Sequence, residues 1–178
     1  FSCMGYEIAG AWGHAVAKGG NGTPIVMVGD GSYMMMNSDI YSSVLSGHKM
    51  IVVVCDNGGF GVINRLQTGM GGVGFNNLLR DSRVVNRDNP LHVDFAKHAE
   101  AMGAYARHCD SLGDLEAAME WAQTTDATTV ISIASDAYTW TPGGADWYVG
   151  VPETSPRESV REARAGQEEF RKKQRRGV

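Results

Sequence analysis

Short apolar runs alternate along this chain with segments whose apolar residues recur at helical spacing. Runs rich in Val and Ile predict strands at 23–31, 50–57 and 128–135, with a shorter candidate at 105–108. Helical spacing predicts helices at 5–18, 37–46, 93–103 and 110–123. This alternation predicts an α/β fold of three layers, with a mostly parallel central sheet and helices on both faces.

One long segment interrupts the alternation. Residues 66–90 include the glycine-rich stretch QTGMGGVGFNN and predict an irregular loop. A loop of this length in a compact domain is usually functional or mobile. Residues 138–150 contain two tryptophans among glycines, and we expect them to pack back on the domain or on a neighbour. The predicted domain therefore spans residues 1–150.

The last part of the chain, residues 151–178, predicts a charged helical tail. Ser155 is a candidate cap, Pro156 suits the first helical position, and Glu158 is placed to reach back to the cap. Beyond Gly166 almost every residue is charged. The tail is interpreted either as a solvated helix or as a contact with another chain.

Composition narrows the class of protein. The chain has 178 residues, 43% hydrophobic and 20% charged, with a net charge of −4. The lack of a basic excess disfavours nucleic-acid binding, and no apolar run is long enough for a membrane span. Cys3, Cys55 and Cys109 have no metal-binding spacing, which favours reduced thiols and a cytoplasmic protein. The opening FSCMGYEIAG enters structure without an initiating Met, so we expect a piece of a longer polypeptide, although a processed or truncated chain would begin the same way.

The candidate chemistry lies where two predicted strands end. Asp30, within Gly-Asp-Gly, follows the first strand, and Asn57 follows the second, 27 residues later. Backbone N–H groups in such a turn suit a phosphate, but a carboxylate among them would repel it unless a cation lay between. Mg²⁺ accepts carboxylate, amide and carbonyl oxygens together with phosphate. Gly-Asp-Gly alone is usually only a tight turn; the Asn after the next strand favours the metal interpretation.

This arrangement resembles the fingerprint of thiamine-diphosphate-dependent enzymes, in which Gly-Asp-Gly is followed by an Asn-Asn pair. The chain departs from it once, because Asp56 stands where the first Asn usually does. The resemblance implies thiamine diphosphate and Mg²⁺ as cofactors, and Asp30, Asn57 and the Gly59 carbonyl as metal ligands.

The resemblance extends on both sides of the fingerprint, to CMGYEIAGAWGHA before it and GGFGVINRLQ after it. It implies that Met4 holds the cofactor in its bent, catalytically active shape, and that Ser2 and Met4 hold the aminopyrimidine through their backbone. Phe60 and Gly61 border the diphosphate, and Val62 approaches the reactive carbon. The implied cofactor-binding residues are Ser2, Met4, Gly29, Asp30, Gly31, Ser32, Asn57, Gly59, Phe60, Gly61 and Val62.

Within the superfamily of acetolactate-synthase-like enzymes, the chain looks most like the trihydroxycyclohexane-1,2-dione hydrolases of myo-inositol breakdown. The segments that carry this likeness are FSCMGYEIAG, GDGSYMMMNSDI, DNGGFGVINRLQ and the tail VPETSPRESVREARA. It implies hydrolytic C–C cleavage of a cyclic dione. The alternatives are acetolactate synthase or a related 2-keto-acid lyase or carboligase, and a non-catalytic α/β subunit or module.

The family also requires a Glu that protonates the aminopyrimidine, from a different domain that is normally on the partner subunit. Nothing in this chain resembles that domain, so the resemblance implies a half-site that is inactive alone and completed in a homodimer or homotetramer. Glu7 is interpreted as a surface or structural residue. His92 and Arg80, in or beside the 66–90 segment, are weaker candidates for contact with substrate.

Overall fold

The computed structural model describes residues 3–82, 91–139 and 150–174. Its centre is a parallel sheet of four strands in the order β1-β2-β4-β3. The strands are β1 (Ile25–Gly29), β2 (Ile51–Asp56), β3 (Tyr105–Cys109) and β4 (Thr129–Ala134). All four predicted strands are confirmed, and within the described residues every strand pairing is parallel.

Seven helices are described, together with a 3₁₀ turn at Leu79–Asp81. They are α1 (Tyr6–Lys18), α2 (Asp30–Met36), α3 (Ser38–Ser46), α4 (Gly61–Gly69), α5 (Phe95–Ala101), α6 (Leu112–Thr124) and α7 (Glu158–Lys173). Helices α2 and α4 were not predicted. The prediction of irregular structure from residue 66 is wrong as far as Gly69, and residues 83–90 of that loop lie outside the described part of the chain.

One face of the sheet carries the larger apolar cluster. Strand side chains from β1, β2 and β4 pack there against helices α1, α2, α3 and α5. The buried members include Ile8, Tyr33, Ile40, Val52, Val54, Phe95 and Val130. The Tyr33 hydroxyl also shares a hydrogen bond with His98 Nδ1 at 3.0 Å, which satisfies a polar group inside this cluster.

The opposite face is covered by α6. Its Ala118 and Ala122 pack against Ile51 and Ile131 on the sheet. Strand β2 is therefore covered on both faces, and its residues 51–54 are each no more than 4% exposed. A continuous apolar run is what such a central parallel strand requires. The predicted three-layer α/β architecture is confirmed.

The tail helix α7 begins later than predicted. Ser155 is not its cap, because the Ser155 hydroxyl accepts the Arg157 N–H at 3.1 Å in a turn before the helix, which starts at Glu158. The Ser159 hydroxyl donates to the Gly71 carbonyl at 2.7 Å, so α7 contacts the segment after α4. Among the described residues, no helix has both the length and the apolar character needed to cross a bilayer.

Candidate metal and diphosphate site

The candidate site lies at the carboxyl ends of β1 and β2. These strands are neighbours in parallel register, with Gly29 opposite Cys55, so the residues that follow them emerge side by side. Asp30 is the first residue of α2, with Gly29 as its N-cap. The sequence predicts a turn at Gly-Asp-Gly followed by a helix; in the structure the helix already begins at Asp30.

Asp30 is buried and receives hydrogen bonds from the loop after β2. It is 2% exposed. Its Oδ2 accepts the Gly59 N–H at 2.5 Å, and its Oδ1 lies 3.5 Å from the Asn57 backbone nitrogen. The two ends of the predicted strand-helix-strand unit are thus brought into direct contact.

The Asn57 side chain reaches the same carboxylate. One terminal atom of its amide lies 2.9 Å from the Gly59 carbonyl oxygen and 3.0 Å from Asp30 Oδ1. With the amide nitrogen in that position, it donates to both oxygens. With the amide turned by 180°, three oxygens converge instead, one each from a carboxylate, an amide and a carbonyl.

This set of three oxygens fits Mg²⁺. Oxygens at adjacent corners of an octahedron with bonds of about 2.0–2.1 Å are about 2.9 Å apart, close to the two separations at Asn57. The described residues contain no cluster of three or more His, Cys, Asp or Glu side chains that could hold a metal. A metal here therefore depends on the mixed set of Asp30, Asn57 and Gly59, which suits a hard cation that also takes phosphate oxygens.

The electrostatics of Asp30 also favour a cation. Burial, and after it the nearby carboxylate of Asp56, together raise the pKa of Asp30 to about 6 from its ordinary 3.8. The N–H groups of Gly59, Asn57 and Gly31 only partly oppose this rise. A buried carboxylate with a carboxylate neighbour is costly to ionise. A divalent cation beside Asp30 would stabilise the ionised form.

Two glycines allow the loop after β2 to approach Asp30 closely. A Cβ at Gly31 would lie 2.6 Å from the Phe60 ring, and a Cβ at Gly61 would lie 2.9 Å from the Asn57 amide nitrogen. Real Cβ atoms do not tolerate such distances, so a larger residue at either position would displace Phe60 or Asn57.

Asp56, the departure from the fingerprint, shapes the turn that follows β2. Its Oδ1 accepts the Gly58 N–H at 2.9 Å, an arrangement in which an Asp side chain stabilises its own turn. Gly58 has a φ of +79°, which favours glycine. The Asp56 carboxylate therefore stabilises the turn, and its negative charge helps to raise the pKa of Asp30.

The remaining predicted residues lie around this centre, and their roles stay predictions. Met4 is half-buried in the turn before α1, next to Gly5, whose φ is +91° and which packs against Met36. Ser32 is buried, and Val62 is 49% exposed. Ser2 lies outside the described residues.

The weaker candidates are placed as follows. His92 Nδ1 lies 3.9 Å from Asp56 Oδ2, and both residues line a cavity of about 170 Å³ with His108 and Ser132. Arg80 stacks on the Tyr138 ring at 4.4 Å. Glu7 is half-buried, and one of its carboxylate oxygens is buried without a hydrogen-bond partner from the described residues; its interpretation as a surface or structural residue stays a prediction.

The sequence patterns do not indicate two residues that are connected to this site through hydrogen bonds. Gln67 and Asn77 are joined by a side-chain hydrogen bond of 2.6 Å, and the Asn77 carbonyl accepts the Phe60 N–H. The only sequence signal is a pair of asparagines after a glycine-rich stretch, and it indicates a turn rather than a site.

Comparison with known proteins agrees with this geometry. The family model described as "Thiamine pyrophosphate enzyme, C-terminal TPP binding domain" matches residues 1–133. Among solved structures, the thiamine diphosphate-dependent 4-hydroxybenzoylformate decarboxylase of Rhodococcus jostii RHA1 is similar with a TM-score of 0.64 at 20% identity, covering 75% of this chain and 23% of that one. Benzoylformate decarboxylase from Polynucleobacter necessarius also has a TM-score of 0.64, at 22% identity, covering 75% of this chain and 24% of that one. At these identities the likeness shows the fold.

Curated relatives are more similar in sequence. A protein of Listeria monocytogenes serotype 4b (strain F2365) named 3D-(3,5/4)-trihydroxycyclohexane-1,2-dione hydrolase is 39% identical over 165 residues, which cover 92% of this chain and 25% of that protein. A protein of the same name from Geobacillus thermodenitrificans (strain NG80-2) is 38% identical over 173 residues, covering 95% of this chain and 27% of that protein. The chain thus spans about a quarter of the length of these relatives. From the family match, the chain belongs to the thiamine pyrophosphate enzymes and corresponds to their C-terminal TPP-binding domain.

Proposed function

We propose that this chain anchors the diphosphate of thiamine diphosphate through Mg²⁺, in an enzyme that hydrolytically cleaves a C–C bond of trihydroxycyclohexane-1,2-dione in myo-inositol breakdown. The observation that carries the cofactor part is the convergence of Asp30, Asn57 and Gly59 at adjacent strand ends. The names of the curated relatives support the substrate part.

The cofactor, when bound, supplies a nucleophilic carbon that adds to a carbonyl and accepts the electrons of the broken bond. This chain has to hold it. Asp30, the Asn57 amide oxygen and the Gly59 carbonyl would bind Mg²⁺, which in turn binds the diphosphate. Backbone groups at the start of α2 lie beside that position. Met4 would support the bent shape of the cofactor, and Val62 would border the reacting carbon.

The site needs a second protein surface. In this proposal, another domain, normally of a partner subunit, supplies the Glu that protonates the aminopyrimidine, and the assembly is a homodimer or homotetramer in the cytoplasm. The chain alone would then anchor the diphosphate end without catalysing the reaction.

The proposed reaction consumes one water molecule in addition to using the cofactor. Water adds to one ketone carbon of the dione, and the bond between the two carbonyl carbons breaks. The carbon that received the water becomes a carboxylate. After protonation the other carbon is an aldehyde, so the product is an open-chain aldehyde acid. No atom is oxidised by an outside reagent.

The test uses the complete protein that contains this chain, with Mg²⁺ and thiamine diphosphate. The dione and pyruvate are supplied in separate reactions, and products are identified by mass spectrometry. We expect the dione to gain one water and open to an acid, with both cofactors required, and pyruvate to remain unchanged.

Two results would contradict parts of this proposal. Consumption of pyruvate with release of CO₂, and no reaction of the dione, would favour a 2-keto-acid lyase or carboligase. Failure to bind thiamine diphosphate in the presence of Mg²⁺ would contradict the cofactor assignment and favour a non-catalytic module.

A further inference from the structure

The peptide bond between Gly59 and Phe60 sets the direction of the Gly59 carbonyl. A trans peptide is planar, so its C=O and N–H groups point in opposite directions. The Phe60 N–H donates to the Asn77 carbonyl at 2.7 Å. The Gly59 carbonyl is thereby directed away from Asn77, toward the Asn57 amide 2.9 Å away. The bond to Asn77 orients a proposed metal ligand.

The segment that carries Asn77 lies directly against this peptide. Gly59 pairs with Leu78 in an antiparallel bridge, and the Leu79 N–H donates to the Gly58 carbonyl at 2.8 Å. Gly59 has a φ of +137°, and a Cβ there would lie 2.4 Å from the Asn77 carbonyl oxygen. Glycine is required at this position for both reasons.

Asn77 is itself held by a side chain of α4. Its Nδ2 donates to Gln67 Oε1 at 2.6 Å, and Gln67 Nε2 donates to the Val73 carbonyl at 2.7 Å. Gln67 thus holds both ends of the segment 73–77. Asn76 has a φ of +53° and is the one non-glycine residue with positive φ among those described. Such a conformation persists where the surrounding contacts fix it.

We propose that Gln67 and Asn77 are positioning residues of the metal site. Gln67 holds Asn77, Asn77 holds the Gly59–Phe60 peptide, and that peptide presents the Gly59 carbonyl to Mg²⁺. Neither side chain touches the ion. The identity of the ion rests on the proposed function, whereas the orientation of the peptide rests on the contacts described above.

The test compares four variants of the complete protein. Gln67→Met keeps the length of the side chain and removes its acceptor, and Asn77→Ala removes the donor. Gln67→Glu keeps an oxygen that can accept from Asn77 and serves as the conservative rescue. Gln123→Met is the matched control, because the Gln123 side chain lies on the exposed surface of α6 and, among the described residues, makes one hydrogen bond, of 3.4 Å to the Met119 carbonyl.

The first measurement is the Mg²⁺ concentration for half-maximal binding of thiamine diphosphate, by calorimetric titration. We expect Gln67→Met and Asn77→Ala to raise it about tenfold, as removal of groups that orient a metal ligand commonly does. Gln67→Glu is expected to stay within about threefold of the parent, and Gln123→Met to leave the value unchanged. The electron paramagnetic resonance spectrum of Mn²⁺ bound in place of Mg²⁺ should change in the first two variants only.

The second measurement is hydrogen exchange at the Phe60 amide without metal or cofactor. We expect exchange to accelerate about fivefold in Gln67→Met and Asn77→Ala, and not in Gln123→Met, since the hydrogen bond that protects this amide contributes about 1 kcal/mol. If the first two variants lower the unfolding temperature but change neither the Mg²⁺ requirement nor Phe60 exchange, the proposal is wrong. If the parent itself binds no thiamine diphosphate with Mg²⁺, the proposed function fails, and Phe60 exchange still decides whether Gln67 and Asn77 orient this peptide.

Discussion

Two aspartates follow parallel strands at the same edge of this sheet, and their surroundings are opposite. Asp30 directly follows β1 and is 2% exposed, whereas Asp136 lies two residues after β4 and is exposed. Burial raises the pKa of Asp30 to about 6. Hydrogen bonds from the Thr139 hydroxyl and the Tyr138 N–H lower the pKa of Asp136 below its ordinary value.

The two carboxylates differ in whether the contacts around them are sufficient to stabilise the ionised form. Asp136 accepts the Tyr138 N–H at 2.8 Å and faces solvent, so its charge is stabilised without any ligand. Asp30 accepts N–H groups as well, yet its burial and the charge of Asp56 still disfavour ionisation. Position at a strand end is therefore not enough to indicate a metal site; burial together with converging oxygens is the stronger indication.

The largest expected effect is on Asp30. Asp30→Asn keeps the shape and removes the charge, so we expect binding of thiamine diphosphate with Mg²⁺ to weaken by at least about 100-fold, since a carboxylate is the strongest of the three oxygen ligands. Calorimetric titration of the complete protein measures this. Binding within threefold of the parent would remove Asp30 from the metal site.

The pH dependence of stability tests the same carboxylate without any ligand. Because the pKa of Asp30 is about 6 in the folded chain and 3.8 ordinarily, the folded state holds the proton more tightly. The contribution of protonated Asp30 to the free energy of unfolding is fully present below about pH 4. It is lost as the pH rises through about 6, which lowers the stability by up to about 3 kcal/mol. Denaturant unfolding of the parent and of Asp30→Asn measures it. The variant should lack this decline, and equal slopes in both proteins would contradict the assignment.

A smaller effect is expected from adding a methyl group beside Asn57. Gly61→Ala places a Cβ 2.9 Å from the Asn57 amide, so the amide must move, and we expect Mg²⁺ affinity to fall about tenfold. Gly13→Ala is the matched control, because Gly13 lies in α1 with open space around its Cβ position. That change should stabilise the helix by about 0.5–1 kcal/mol and leave Mg²⁺ binding unchanged. Equal Mg²⁺ affinities in the two variants would show that Asn57 does not need its observed position.

The smallest effect is expected at the contrasting aspartate. Asp136→Asn keeps an acceptor for the Tyr138 N–H, so we expect Mg²⁺-dependent binding of thiamine diphosphate to stay within about twofold of the parent. The same titration measures it. A loss of affinity comparable to that of Asp30→Asn would mean that both carboxylates act on the bound cation through long-range electrostatics. The contrast between Asp30 and Asp136 would then no longer hold.

The sheet and the pairing of Asp30 with Asn57 could be predicted from the sequence because both follow from local patterns. Apolar runs identify buried parallel strands, and polar residues after adjacent strands meet at one edge. The predicted four strands and the observed contact between Asp30 and Asn57 show this.

The unpredicted parts depend on tertiary contacts. Helix α2 has no amphipathic period, because its first four residues are all buried, and α4 begins and ends at glycines that suggest a loop. The bond between Gln67 and Asn77 forms only when the glycine-rich segment folds back on α4, and no periodicity in the sequence indicates it. The start of α7 was misplaced because the Ser155 hydroxyl stabilises a turn instead of the helix end.

The most direct measurement is the anomalous scattering of Mn²⁺ in crystals of the complete protein grown with thiamine diphosphate. Mn²⁺ resembles Mg²⁺ in its preference for oxygen ligands. The account predicts one Mn²⁺ peak bound by an Asp30 oxygen, the Asn57 amide oxygen and the Gly59 carbonyl oxygen, each at about 2.2 Å, with diphosphate oxygens completing its shell. A cofactor bound without a metal at these three oxygens, or a Mn²⁺ peak held by other residues, would contradict it.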